Sequence, residues 1–182
     1  DKLCYDELTE VLTDKGWKSI VEITIKDRIA QLVVEPNFKK QAVIWEEPRA
    51  IHVFPEGGRM VRRAGKDVDI FVTENHDLFG FFDASATEAS KRKARDVGKG
   101  FFSFIQIRQD KNNNFYLKKK KDINSVFIVE EDYDQPVYCL TTTTGNLYMR
   151  RNGKERFCGN SGRYGNKGIV GLIIPDHEAP KT

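Results

Sequence analysis

The stretch Asp69-Ile70-Phe71-Val72-Thr73-Glu74-Asn75-His76-Asp77-Leu78-Phe79 decides how this chain is read. Ile70, Phe71 and Val72 are β-branched or aromatic and predict a strand. A Thr and a His three residues apart then fall at its end, where hydroxyl and imidazole can converge on one peptide group. Taken alone, the pattern equally suits a surface histidine after a strand. Outward from it the same rhythm continues. Ile20 to Ile25, Gln31 to Val34, Ala42 to Trp45, Phe101 to Ile107 and Ser125 to Val129 read as further short strands. Turn residues stand at Asp14-Lys15-Gly16, Pro55-Glu56-Gly57-Gly58, Lys111-Asn112-Asn113-Asn114, Thr144-Gly145 and Asn152-Gly153-Lys154, each able to close a hairpin. The best helical candidate is the polar, basic segment Thr87 to Val97, with Gly98 placed to stop it. The expected architecture is a compact all-β domain with little helix.

Composition narrows the function. The 182 residues have room for one domain of average size, and 12 Phe, 6 Tyr and 2 Trp are enough to build its core. Thirty Lys and Arg against 27 Asp and Glu leave a formal net charge of +3, too mild to require a nucleic-acid partner. No apolar run approaches the roughly 18–20 residues of a membrane span. Asp1 to Glu7 lacks the apolar region of a signal peptide. Three histidines put a His-rich metal site out of reach, and Cys4, Cys139 and Cys158 have no metal-ligand cadence. So sparse a set of cysteines points to a reducing, cytoplasmic setting, where they matter as thiols rather than as a disulfide frame. From Gly159 onward glycine recurs every third residue, which marks a separate C-terminal segment beginning near Ser161.

Four places carry side chains able to do chemistry. Cys4 is either a small buried hydrophobe or a nucleophile. Thr73 and His76 are the second. In Phe157-Cys158-Gly159-Asn160-Ser161, an Asn before a small residue is either a plain turn or a cyclisation site, where the carboxamide attacks its own carbonyl and expels the next residue's amine. Val137-Tyr138-Cys139-Leu140 is a strand with a thiol inside it, by default a packing residue.

In this order the four resemble an intein. Cys4 to Trp17, with Lys26-Asp27-Arg28-Ile29 following, resembles the family's first block, and Val72 to Phe79 its T-x-x-H block. Val137 to Thr141, then Asn152-Gly153-Lys154 to Cys158-Gly159-Asn160-Ser161, resembles the two C-terminal blocks. The flanks resemble something else. Joining Asp1-Lys2-Leu3 to Ser161-Gly162-Arg163-Tyr164-Gly165-Asn166-Lys167-Gly168-Ile169-Val170 gives DKLSGRYGNKGIV. This is similar to the D-K-x-x-x-R-H-G-x-K-G-V segment near the active centre of the large β-type subunit of multisubunit RNA polymerases, with Tyr164 at the usual His. Ile173-Ile174-Pro175-Asp176 and Pro180 fit it too.

The resemblance implies a Hint horseshoe of many short, pseudo-symmetric hairpins. It divides the chain into an upstream flank (1–3), a splicing domain (4–160) and a host segment (161–182) whose parent would join an RNA polymerase, a nucleotidyltransferase. It implies a single-turnover autocatalyst acting on its own flanks as a monomer, with no cofactor, no nucleic acid and no membrane. Cys4 attacks the Leu3 carbonyl, assisted by Thr73 and His76; Ser161 takes the acyl group; Asn160, after Gly159, cyclises; an O-to-N shift joins Leu3 to Ser161.

Three positions depart from the family pattern. Gly159 stands where a His commonly precedes the terminal Asn, and Gly145 where the preceding block commonly has another. Assistance to Asn160 is therefore open among Arg150, Arg151, water and backbone groups. Cys139 stands where an Asp is often found and reads as an auxiliary residue, because Cys4 is present and Leu78 replaces the Trp of inteins that branch on that cysteine. If Cys4 and Cys139 share one site, oxidation or an inhibitory Zn²⁺ would block the first step.

The stretch between Phe79 and Pro136 is too short for an inserted homing endonuclease of roughly 100 residues. Lys91-Arg92-Lys93 and Lys118 to Lys121 then read as a solvated spacer, and His52 as structural. The rival readings are a Hint domain that only cleaves, a Cys/His protease acting on other proteins, and an all-β nucleic-acid-binding module. The last would stack bases on Phe101, Phe102 and Phe104 beside Lys118 to Lys121.

Overall fold

The computed structural model describes residues 2–33, 42–98 and 102–160. Asp1, Val34, Phe101, Ser161 and the host-like segment 161–182 lie outside the described residues. Strands dominate: β1 (Glu10–Thr13), β2 (Gly16–Ser19), β3 (Ile29–Val33), β4 (Ala42–Glu46), β5 (Ala50–Phe54), β6 (Gly58–Ala64), β7 (Asp69–Thr73) and β8 (Asp77–Gly80). They continue as β9 (Ser90–Lys93), β10 (Ser103–Gln109), β11 (Phe115–Lys121), β12 (Val126–Tyr133), β13 (Val137–Thr141), β14 (Asn146–Arg151) and β15 (Lys154–Gly159). The expected all-β class holds.

One sheet runs β15-β14-β1-β3-β4 with β2 paired to β1, and β12-β6-β7 and β13-β5 form shorter ladders. Three of the five expected hairpins form, at Asp14-Lys15 between β1 and β2, Lys111 to Asn114 between β10 and β11, and Asn152-Gly153 between β14 and β15. Asn152 (φ 50°) and Gly153 (φ 77°) supply the two left-handed residues that a tight two-residue turn needs. The other two turn signals act differently. Pro55 to Gly57 hands the chain from the β5–β13 pair to the β6–β12 pair, and Thr144-Gly145 passes it from β13 to the large sheet.

Two further expectations are corrected. Ile20 to Ile25 is not a strand: Ile20–Glu22 is a 3₁₀ turn whose first free amide, on Val21, donates to the Ser19 hydroxyl. Ile20 and Ile23 are buried while Val21 and Ile25 are exposed, the three-residue spacing of a 3₁₀ turn rather than the alternation of a strand. Helix survives only in α1 (Ala94–Val97), which Gly98 ends at φ 55°. Ser90 to Lys93 instead pairs with the open edge of β8, because a segment with so few apolar residues has no helical face to bury.

The core has three parts. The largest packs Tyr5, Val11, Ile70, Val72, Phe102, Phe104, Leu147 and Met149. A second gathers Leu32, Phe79, Phe81, Ile105, Tyr148 and Phe157, and a smaller third holds Cys4, Met60, Phe71, Val137 and Cys139. A buried ion cluster ties the first segment to β7 and β14. Arg151 binds Asp6 at 2.9 Å and Asp69 at 2.6 Å, with Thr9 and Asn152 donating to the same carboxylates. Burial opposes the Arg151 charge, but the bonds to Asp6 and Asp69 outweigh it and raise its pKa.

Candidate active site

Residues 4–6 lie as a short central strand between β7 and β13. On one side Thr73 donates its backbone N–H to the Cys4 carbonyl and Asp6 donates to the Phe71 carbonyl, at 3.1 and 3.2 Å. On the other, Tyr5 and Tyr138 exchange two N–H···O bonds of 2.9 Å. One step along that antiparallel ladder Cys4 faces Cys139, at a non-hydrogen-bonded position where side chains approach most closely. Their Cα atoms are 4.2 Å apart and their sulfurs are joined as a disulfide. This corrects the expectation that the cysteines stand as free thiols: strand register places two of them in direct opposition. Cys158 alone is free, and it is buried.

Thr73 brackets the upstream peptide. Its hydroxyl accepts from the Cys4 N–H at 3.1 Å and donates to the Lys2 carbonyl at 2.7 Å. A cleft of about 230 Å³, lined by Lys2, Arg59, Thr73, Glu74 and Asn75, opens beside this flank. His76 follows one turn later, its N–H bonded to the Thr73 carbonyl at 2.9 Å. It is fully buried, edge-on to the Tyr5 ring at 4.3 Å, with Nε2 3.8 Å from Cys158 Sγ. Burial pushes its pKa down from 6.5 to about 3; the carbonyls of Gly159 and Leu3 pull the other way without winning. The imidazole is therefore neutral at neutral pH, and the Leu3 and Gly159 carbonyls are among the groups that act on it.

Asn160 is almost wholly buried. Its N–H donates to the Gly145 carbonyl at 2.9 Å, and its Oδ1 accepts from the Thr142 hydroxyl at 3.1 Å. Its Nδ2, the atom that would attack, is buried with no hydrogen-bond partner among the described residues, as is His76 Nδ1. The Gly159 carbonyl accepts from the Tyr5 hydroxyl at 2.7 Å. Gly159 itself rests on β8: a Cβ there would run into the Asp77 carbonyl oxygen and come within 2.9 Å of the Asp77 Cβ. No side chain fits, which is the physical reason the usual histidine is missing.

The structure thus brings Leu3, Cys4, Thr73, His76, Cys139, Gly159 and Asn160 into one buried centre. Two residues named as helpers for Asn160 are not free to act there. Arg151 is held by Asp6 and Asp69, while Arg150 pairs with Glu10 and lies over the Trp17 ring at 4.5 Å. Tyr5, Thr142 and Cys158 were missed; in sequence they are ordinary strand or loop residues, and only the ladder around them gives them a place. His52 is exposed on β5 opposite Cys139. The basic run of β11 is half-buried rather than fully solvated, with Lys119 over the Phe81 ring at 4.3 Å. Among the described residues no group of three or more His, Cys, Asp or Glu could hold a metal ion, so a zinc ion here would have at most the two cysteines. No described helix is long and apolar enough to cross a membrane.

A scan against family models finds no match. A 69-residue stretch, 38% of the chain, is 32% identical to the ATP-dependent Clp protease proteolytic subunit of Chlamydomonas moewusii and spans 6% of that protein's length. Solved structures match far more of the chain. The AceL NrdHF class 3 split intein, in a GSH-linked, splice-inactive variant, is 18% identical with a TM-score of 0.67 over 87% of this chain and 99% of that one. The bacterial intein-like domain from Clostridium thermocellum is 14% identical, TM-score 0.55, over 88% and 100%. A mutant of an Ssp DnaB mini-intein variant is 8% identical, TM-score 0.54, over 87% and 98%. The chain has the Hint fold of inteins.

Proposed function

We propose that this chain splices itself, releasing Cys4–Asn160 and joining Leu3 to Ser161. The supporting observation is that one buried centre holds the amide at the upstream junction, through Thr73, and the Asn at the downstream one, through Thr142 and Gly145. Once its thiol is free, Cys4 Sγ attacks the Leu3 carbonyl carbon. The thiol proton leaves to solvent as the thiolate attacks, and His76 delivers a proton to the Cys4 nitrogen as the C–N bond breaks, regaining one from water afterwards. Thr73 keeps the peptide plane fixed during attack. The Ser161 hydroxyl then takes the acyl group from sulfur, Asn160 cyclises and frees Ser161 nitrogen, and an O-to-N shift completes the peptide bond.

The flanks support an RNA polymerase β-type host, and a reducing cytoplasm is the setting that would free Cys4. The splicing domain acts as a monomer on its own ends. Oxidation, or Zn²⁺ bridging two thiolates, would remove the nucleophile. Against a cleavage-only domain stand Ser161 and the host-like sequence that the joined flanks restore. The nucleic-acid reading loses its base-stacking platform, since Phe102 and Phe104 are fully buried under the ring-stacked Arg156. The Clp match covers too little of that subunit to carry proteolysis over.

Intact-mass spectrometry after expression in reducing buffer tests this. The expected result is an excised Cys4–Asn160 fragment and a ligated flank in equal amounts. Two separated flanks without ligation would establish the cleavage-only reading instead.

A further inference from the structure

We propose that Tyr5 and Thr142 position Asn160 for cyclisation, replacing the histidine that the fold excludes at residue 159; this rests on the splicing reading above. The Gly159–Asn160 peptide is held from both sides, its carbonyl by the Tyr5 hydroxyl at 2.7 Å and its N–H by the Gly145 carbonyl at 2.9 Å. Thr142 Oγ1 lies 3.1 Å from Asn160 Oδ1 and 2.9 Å from the Asn146 carbonyl, two acceptors that share its one proton, so the hydroxyl is held between β14 and Asn160. With backbone and carboxamide oxygen both fixed, Asn160 Nδ2 is buried and has no hydrogen-bond partner among the described residues. A donor on Oδ1 stabilises the negative oxygen of the imidate that forms as Nδ2 loses its proton, leaving the nitrogen a lone pair for attack.

The step balances within the chain. Nδ2 bonds to the Asn160 carbonyl carbon, the bond from that carbon to Ser161 nitrogen breaks, and the proton lost from Nδ2 ends on the departing amine. The Tyr5 phenol stays a donor throughout. Burial, with the Cys158 thiol adding to it, pushes its pKa well above the ordinary value. Tyr5 is also the residue after the upstream nucleophile, bonded by its backbone to β13. The two junctions are therefore tied by a single side chain, and no loop lies between them.

The two steps can be read separately in the full chain under reducing conditions. In a Cys4→Ala background, cleavage after Asn160 reports cyclisation alone. In an Asn160→Ala background, dithiothreitol-induced cleavage before Cys4 reports the acyl shift alone. Tyr5→Phe keeps the ring against His76 and loses only the hydroxyl, and Thr142→Val keeps the shape. Each lowers downstream cleavage about tenfold relative to upstream thiolysis, the size expected for one lost hydrogen bond in a transition state. Thr142→Ser restores most of the loss. Equal losses at both junctions indicate a damaged fold and overturn the proposal, as does an unchanged downstream rate. A parent chain that cleaves at neither junction overturns the splicing reading and the proposal with it.

Discussion

The two junctions sit in one centre but are held by opposite means. Upstream, the scissile peptide is gripped by functional side chains, Thr73 on its amide and His76 beside its carbonyl, and the nucleophile is tied to Cys139. Downstream, Asn160 is held by the Thr142 hydroxyl and the Gly145 carbonyl, and its Nδ2 has no hydrogen-bond partner among the described residues. On the proposed splicing reading a proton has to travel upstream, from thiol to amide, which gives a titratable group there a use. Downstream the reaction is a rearrangement within one residue, and geometry can do most of the work. The contrast implies that the upstream half should respond to redox state and acid-base substitutions, and the downstream half to shape.

The strongest break of that contrast is Asn160→Ala. It should abolish release at the downstream junction while leaving the upstream acyl shift running, so that branched or thiol-cleavable chain accumulates on intact-mass analysis. Normal ligated product from this variant would defeat the proposed reading, because no other side chain there can form the succinimide.

Redox state comes next. Oxidised chain should be silent upstream and recover with reductant, whereas Cys139→Asp should be active and indifferent to oxidant. Upstream thiolysis that proceeds equally in oxidised and reduced wild type would mean that the Cys4–Cys139 bond does not control the nucleophile. Smaller but still large, His76→Ala should slow upstream thiolysis by roughly 10²- to 10⁴-fold. Because the ring also neighbours the Gly159 carbonyl, comparing the loss at each junction shows which half it serves.

Gly159→Ala sharpens the downstream side. Its methyl meets β8 backbone that cannot swing away, so stability should fall by about 1–3 kcal/mol, read from urea denaturation. A further effect is electrostatic and is confined to acid pH. His76 titrates near 3 in the fold and 6.5 when unfolded, so between those values the unfolded state binds the extra proton. Stability should be fully present above about pH 6.5 and be lost as pH falls towards 3. His76→Gln, measured against wild type, should flatten that slope.

Much of this centre is legible in the sequence for a simple reason: Cys4, Thr73, His76 and Asn160 are chemical residues in places where packing alone would not require them. The strands were equally plain in Asp69 to Thr73 and Val137 to Thr141, where β-branched and aromatic residues crowd together. Tyr5 and Thr142 were not legible. A tyrosine beside a strand looks like core, and its second use appears only when a residue 154 positions away comes within reach of its hydroxyl. Nor was the Cys4–Cys139 bond determined by spacing; it follows from the register of a ladder closed by residues 135 apart. Ile20 to Ile25 misleads because β-branched residues suit a strand until burial at every third position shows the tighter turn.

Because Gly159 rests on the backbone of Asp77, the space for a side chain at 159 and the position of β8 are coupled. A lineage could gain a side chain at 159 only if β8 first stood off, and β8 begins directly after His76. That intermediate would disturb the upstream histidine before any benefit arrived downstream, a valley no single substitution crosses. The reverse path is as steep, for β8 would have to close onto a residue already filling the gap. On the splicing reading, a faster downstream step would have to come through groups around Asn160 rather than from residue 159.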